Sequence, residues 1–350
     1  MKTSTEATRS FAEFAKNETV LSSPLYSFLC ARIAEDEAIL EVAAFASPLH
    51  LAPIMLLGAV HFLLSGGAHE ALARFYPSLT SAPDAFENAY PDFRQFCLEN
   101  RASLISLLQS KQVQTNEVRR CACLLPAFGF VLEKTDNAPL IMIEVGASAG
   151  INLFWSEFGY DYSNGQQWGS AVSAVQLKCD ARGVNPLPLP RNRPTLIQNI
   201  GLELKPVDLL CEEDVRWLRA LIWPDHLERA KLFTKALSIV RTKPPELIAG
   251  DALQTLPAIL EALPTHGTVC LYHSLVLNQF PPEAQKEFDL ILKTASRNRD
   301  LYCIGMGDNR YNEDELTLAS YHYGVEKVVS LAKCQAHGAW IEWLIPADSN

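Results

Sequence analysis

The sequence predicts an α/β protein: a helical N-terminal region over residues 1–135, then a domain over 136–350 built on a mostly parallel sheet. Three observations carry this. From Pro139 onward, short apolar runs alternate with helical stretches, the pattern of βαβ units. Before that point apolar residues recur at helical spacing, and no convincing alternating strand is present. Between the two textures, Ile141-Met142-Ile143-Glu144-Val145 runs directly into Gly146-Ala147-Ser148-Ala149-Gly150, an apolar strand ending in a small-residue turn with an acid at its mouth.

In the first region, Ser22-Ser23-Pro24 offers a capping serine followed by proline at the first helical turn. Leu25, Phe28, Leu29, Ile33, Ile39, Leu40 and Val42 continue a helical face behind it. Ile54–Leu64 reads as a second helix stopped by Ser65-Gly66-Gly67, and Phe93–Gln109 and Val113–Leu132 as two more. In the second region the expected strands are Leu140–Val145, Ile197–Leu204, Glu246–Ala249, Thr268–His273, Asp300–Met306 and Gly338–Ile345. Helices are expected over Ala149–Glu157, Glu212–Ile222, His226–Val240, Leu253–Ala262, Glu283–Ala295 and Glu313–Tyr321. The polar stretch Tyr160–Cys179 and the proline-rich Pro186–Pro194 predict an inserted hairpin and loop, about 160–194, longer than an ordinary crossover.

Composition narrows the function classes. With 350 residues, 48% hydrophobic and 20% charged, the chain can bury a large core. A net charge of −10 and the lack of any Lys/Arg block argue against nucleic acid as a partner. The nine cysteines are odd in number and scattered without zinc-site spacing, which predicts reduced thiols and no metal. The first residues lack the apolar core of a signal peptide, and Leu49–Leu64, interrupted by Pro53, His50 and His61, is too short for a membrane span. The expectation is a cytoplasmic protein without a membrane partner; oligomeric state is not legible.

The glycine turn supports two chemistries. Read from Glu144, it is acid-x-Gly-x-x-x-Gly after a strand, the Rossmann-like turn on which methyltransferases hold S-adenosylmethionine. Glycines at 146 and 150 let backbone approach a ligand, and Ser148 stands where glycine is usual, compatible if its φ need not be positive. Read from Ser148, it is G-x-S-x-G, the nucleophile elbow of a serine hydrolase, with Asp251 and His322 or His337 available as partners. The elbow reading requires strands and an oxyanion loop upstream, and Leu140–Val145 is the first credible strand. A third reading is a catalytically silent nucleotide-binding module.

On the methyltransferase reading, further positions fall at successive strand ends. Glu203, in Gly201-Leu202-Glu203-Leu204-Lys205-Pro206, is placed to accept two ribose hydroxyls, with Asp161 as a competitor. Asp251, after Leu247-Ile248-Ala249-Gly250, is placed near an adenine or simply caps the next helix. His273 is the candidate catalytic residue, as a general base or substrate-orienting group, with Ser274 and Asn278 beside it on the substrate side. Trp217 and Trp223 read as core packing or as a pocket wall, and Gly305–Asn309 as a turn or a site rim.

Ser23-Pro24-Leu25-Tyr26, Ile33–Asp36, Gly58–His61, Glu144–Asn152, Gly201–Asp208, Trp217–Pro224, Gly250-Asp251 and His273-Ser274 together resemble a bacterial family known as a domain of unknown function and considered similar to class I S-adenosylmethionine-dependent methyltransferases. The resemblance implies a helical N-terminal region beside a Rossmann-like domain. With it, the expectation becomes S-adenosylmethionine as cofactor and a small-molecule or protein substrate. Tyr26 and the neighbouring Glu35-Asp36 stretch are expected to help select that substrate.

Overall fold

The computed structural model describes residues 4–20, 22–67, 70–308 and 310–347. The chain forms two compact units, one of residues 1–115 with 208–234, the other of 116–207 with 235–350. This differs from the expected division after residue 135, because the last N-terminal helix and the chain from 208 to 234 each pack with the unit other than the one their sequence neighbours suggest.

The first unit is helical: α1 Ser4–Asn17, α2 Pro24–Ile33, α3 Glu37–Ala43, α4 Ala52–Ser65, α5 Glu70–Ala73, α6 Ala89–Glu99, α7 Arg101–Ser110, α9 Glu212–Ala220 and the start of α10 Leu227–Val240. Ser23 caps α2 by accepting from the Tyr26 N–H, with Pro24 at the first turn, as its sequence predicts. One helix expected over Phe93–Gln109 is two, parting at Asn100, whose side chain donates to the Phe96 carbonyl. The apolar α4 is buried almost all round and forms the centre of this unit. Gly58 lets α9 approach it, since a Cβ there would lie 3.0 Å from Leu221 Cδ2. Trp217 and Trp223 pack into the same core, against Phe62 and Phe14 respectively. Among the described residues no helix is long and apolar enough to cross a membrane.

The second unit is a mixed α/β layer structure on one eleven-stranded, mostly parallel sheet. Its strands are β1 Leu140–Val145, β2 Gly159–Tyr162, β3 Gln167–Gly169, β4 Gln176–Arg182, β5 Leu196–Glu203, β6 Glu246–Ala249, β7 Thr268–Ser274, β8 Leu301–Asp308, β9 Asn312–His322, β10 Val325–Cys334 and β11 Trp340–Trp343. Their order is β3-β2-β4-β11-β10-β9-β8-β7-β1-β5-β6. The run β6-β5-β1-β7-β8 is wholly parallel, and the chain proceeds outward from β1 first one way, to β5 and β6, then the other, to β7 and β8. All six residues of β1 are buried, as expected of a central parallel strand.

Helix α8, Arg120–Lys134, lies on one face of this sheet, where Phe128 meets Trp155 and Tyr272. Helices α11, Ala252–Ala262, and α12, Pro282–Ala295, cover the other, where Leu256, Phe288 and Leu292 pack on Ile141, Ile143, Val145, Val269 and Leu271. The inserted segment forms β2, β3 and β4, a small extension of the same sheet.

Two expected helices of this unit take another form. Residues 151–157 form a 3-10 helix, not an α-helix. More consequentially, Glu313–Tyr321 is no helix: it lies within β9, antiparallel between β8 and β10. Leu316, Thr317, Leu318, Ala319 and Tyr321 are all buried, so both faces of the strand are covered and the usual alternation vanishes. Helix-favouring residues at its start were overridden by pairing with two distant strands.

Candidate functional site

The centre of the second unit is the turn where β1 ends between β5 and β7. Gly146 has φ +74° and Gly150 φ +70°. At Gly146 the reason for glycine is packing as well as conformation, because a Cβ would stand 2.4 Å from Val276 Cγ2. A Cβ at Gly150 would meet Pro245 and Leu247 at 2.8 and 2.9 Å. Ser148 also adopts a left-handed backbone, φ +53°, a conformation that costs a non-glycine residue about 1 kcal/mol. The condition under which serine fitted the sequence reading is therefore not met by its backbone. Its neighbours hold it instead.

Those neighbours use every amide of the turn. Gly146 N–H and Ala147 N–H donate to the Leu202 carbonyl at 2.8 and 3.2 Å, and Gly150 N–H to the Ala147 carbonyl at 2.7 Å. Ser148 N–H donates to Glu203 Oε2 at 2.8 Å. Ala149 N–H donates to Asn116 Oδ1 at 3.3 Å, while Asn116 Nδ2 donates to Ser148 Oγ at 2.8 Å. The carboxamide of Asn116 thus spans the turn, one end on the serine hydroxyl and the other on the next amide.

Glu144 and Glu203 come from neighbouring parallel strands, at the ends where the chain leaves the sheet. Glu144 is buried on the α8 face, 3.4 Å from the Tyr272 hydroxyl, and among the described residues forms no ion pair. Burial pushes its carboxyl up to about 8, against the opposing influence of Tyr272, Asn152 and Arg120, while Glu203 adds to the rise. Glu203 is half-buried; besides Ser148 N–H it accepts from Lys205 N–H at 3.2 Å. Each oxygen holds one bond, leaving acceptor capacity on both.

Arg120, at the start of α8, is nearly buried. Its Nε donates to the Ala336 carbonyl at 2.9 Å and its Nη1 to Ser274 Oγ at 3.3 Å. Ser274, like Tyr272, projects to the face that holds Glu144, since alternate residues of a strand share a face. His273 does not. Its register partner is Val145, and it sits on the opposite, α11/α12 face against Phe288, fully buried. There Nε2 lies 3.4 Å from Asp308 Oδ2, and Gly305 leaves room for the pair. Burial drives the imidazole below its ordinary pKa despite Asp308. Burial also disfavours the Asp308 carboxylate, yet the neighbouring His273 and Arg310 outweigh this and hold it well below the usual range. Arg310 contacts Asp308 at 2.5 Å and pairs with Asp289 as well.

The structure therefore brings Glu144, Gly146, Ser148, Gly150, Glu203 and Ser274 together and places His273 in a separate buried network. Asp251 is exposed and caps α11, accepting from the Leu253 and Gln254 N–H groups through Oδ1. Asn278 is exposed in the 3-10 turn Leu277–Gln279 after β7. Tyr26 belongs to the helical unit and is buried in its core against Tyr76 and Trp223. Asp308, read as part of a turn, ends β8; Asn309 lies outside the described residues. Among the described residues no group of three or more His, Cys, Asp or Glu is arranged to hold a metal ion.

Asn116 and Arg120 escaped the sequence reading because they fall in a stretch that reads only as helix. Nothing in their local pattern indicates that Asn116 meets the turn about thirty residues later, or that Arg120 meets Ser274 at the end of β7.

The family described as "Uncharacterized protein conserved in bacteria (DUF2332)" matches residues 8–343. No curated protein and no solved structure matches the chain.

Proposed function

From the premise that the chain belongs to the bacterial DUF2332 family, we propose that its second unit is a Rossmann-like S-adenosylmethionine-dependent methyltransferase acting on a small molecule or a protein. The observation that carries the reading is the position of Glu144 and Glu203. Both end strands at the point where strand order reverses about β1, the carboxyl edge at which open α/β sheets bind ligands.

The residues present fit such a cofactor. Glu144 is a buried acid without an ion-pair partner among the described residues, suited to a ligand ammonium group. Glu203 retains acceptor capacity for ribose hydroxyls, and Asp251 has an oxygen not used by its cap. Once bound, the cofactor would supply an electrophilic methyl group. The protein's share is to position the acceptor in line and to exclude water, a task that needs few polar side chains. His273, facing away from Glu144, is better read as the support of β7 and β8 than as a base.

The turn itself counts against the alternatives. A phosphate cradle requires free amides, and those of residues 146–150 are all engaged. The strained φ of Ser148 suits a nucleophile elbow, yet Asn116 engages both the hydroxyl and the following amide, which a hydrolase keeps free for attack and for an oxyanion.

Calorimetric titration with S-adenosylmethionine and S-adenosylhomocysteine tests the proposal. Saturable binding that is weakened by Glu203→Gln is expected, and no heat with either ligand at high protein concentration would overturn it. A fluorophosphonate probe is expected to leave Ser148 unlabelled.

A further inference from the structure

The residues that lead into α8 make three contacts in quick succession. Asn116 holds Ser148 in the glycine turn, Arg120 reaches Ser274 at the end of β7, and between them Glu117 faces His337. His337 lies in the short turn that joins β10 to β11. Because β9 is antiparallel to both its neighbours, β10 runs in the direction of β7 and β8, and the turn after it lies at the carboxyl edge of the sheet. There His337 Nδ1 stands 3.7 Å from Glu117 Oε2, with 43% of the imidazole side chain exposed and only 2% of the carboxylate side chain.

Three devices fix this turn. Gln335 Oε1 accepts from the N–H groups of His337 and Ala339 at 2.9 and 3.2 Å. The Ala336 carbonyl accepts from Arg120 Nε at 2.9 Å. Gly338, at φ +75°, lets the turn lie on Arg119, where a Cβ would stand 2.2 Å from the carbonyl oxygen. The Arg120 guanidinium thus ties the residue before His337 to Ser274, which shares the Glu144 face of β7. An accessible imidazole is held still beside a buried carboxylate.

We propose that His337 is the general base of the methyl transfer, taking the proton of the acceptor, and that Glu117 is its positioning residue. A carboxylate at Nδ1 favours the tautomer protonated there, which leaves the lone pair on Nε2. A small rotation closes the 3.7 Å contact to a hydrogen bond when the ring becomes charged. In the step itself, the acceptor's lone pair forms the bond to the methyl carbon. The carbon–sulfur bond breaks, its electrons stay on sulfur, and the sulfonium becomes a thioether. The acceptor's proton passes to Nε2, and Glu117 holds the imidazolium. The substrate class narrows to acceptors with a proton to lose, a hydroxyl or an N–H. His273 cannot take this part, being fully buried on the other face of the sheet. The inference rests on the cofactor reading above.

The test uses the full chain, isotope-labelled at its histidine nitrogens, with His337 signals assigned through His337→Ala. Long-range proton–nitrogen correlation, at a pH where the ring is neutral, reports its tautomer. Two ligands are then added: S-adenosylhomocysteine, and sinefungin, which carries an ammonium where the transferred methyl stands. A proton on Nδ1 is expected, with the His337 signals displaced by sinefungin and those of His322, at the far edge of the sheet, unmoved. Transfer from labelled S-adenosylmethionine to components of a bacterial cell extract is the second readout. His337→Ala should lower it about a hundredfold, with S-adenosylhomocysteine affinity unchanged. The charged residues of the segment packed on the turn are Glu117, Arg119 and Arg120. Glu117→Gln should lower the plateau rate and move the acid limb of the pH profile about one unit lower, because the ring loses the carboxylate that favours its charged form. A merely structural loss would leave that limb in place.

A proton on Nε2, ring signals indifferent to bound sinefungin, or wild-type transfer by His337→Ala would each overturn the base and leave the cofactor reading standing. No binding of either ligand would overturn the cofactor reading, and the base with it. Binding without any transfer by the wild type would overturn the base alone and favour the catalytically silent module.

Discussion

Replacing Gly146 by alanine tests why the turn is built as it is. Two penalties arise together. At φ +74° a Cβ costs about 1 kcal/mol from its left-handed backbone alone. The new methyl would also stand 2.4 Å from Val276 Cγ2 and 3.0 Å from Cγ1, an overlap that side-chain adjustment cannot absorb fully and that adds about 2 kcal/mol. Gly146→Ala should therefore lower unfolding stability by about 3 kcal/mol. Val276→Ala removes two half-buried methyl groups and should cost about 1 kcal/mol. Combined, the two substitutions retain the backbone penalty and the lost methyls but not the overlap. The double variant should then lose about 2 kcal/mol, where additivity requires about 4, a coupling of about 2 kcal/mol. Urea unfolding of the four proteins, with the slope checked for constancy, measures the cycle. Additive losses would refute the claim that Val276 closes over the turn. A loss below 1 kcal/mol for Gly146→Ala would refute the backbone argument as well.

Three further predictions concern charge and capping. Glu144 has a folded pKa of about 8, above its unfolded value, so the folded state holds the proton more tightly and this group's contribution declines as pH rises from about 4.5 to 8. Glu144→Gln should remove that slope, at most about 1.4 kcal/mol per pH unit, and be the more stable protein at pH 8 in urea titrations across pH. Arg310→Met leaves the buried Asp308 carboxylate without its main partner and should cost about 3–5 kcal/mol at neutral pH. The depressed pKa of Asp308 stabilises the wild type above about pH 4, and this stability is lost as pH falls below it, so the variant should show a smaller additional loss on acidification. Asp251→Ala should cost about 1 kcal/mol through its lost cap, whereas Asp251→Asn, which keeps the cap, should match wild-type stability. If Asp251 also meets the cofactor, Asp251→Asn should still weaken S-adenosylhomocysteine in calorimetry.

The parts legible in the sequence are those whose reason is local. Continuous apolar runs mark β1, β7 and β8 because central parallel strands are buried on both faces, and glycine at 146 and 150 marks left-handed backbone after a strand. Asp251 before α11 and Ser23 before α2 mark caps for the same reason, since the group they satisfy is two or three residues away. Glu313–Tyr321 reads as helix in the sequence but lies in β9, because its pairing, not its residues, sets its conformation.

What tertiary structure alone decided is which side chains meet. Glu144 and His273 both belong to strand ends, and the sequence cannot tell that the pleat sends one to the α8 face and the other to the α11/α12 face until the β1–β7 register is fixed at Val145↔His273. Nor can it show that Asn116 reaches across to Ser148, or Arg120 to Ser274, because such contacts depend on chain packing between residues tens to hundreds of positions apart. Local sequence determined the strand, the turn and the acids at its rim. Packing and register determined what those acids face, and so which chemistry the turn can perform.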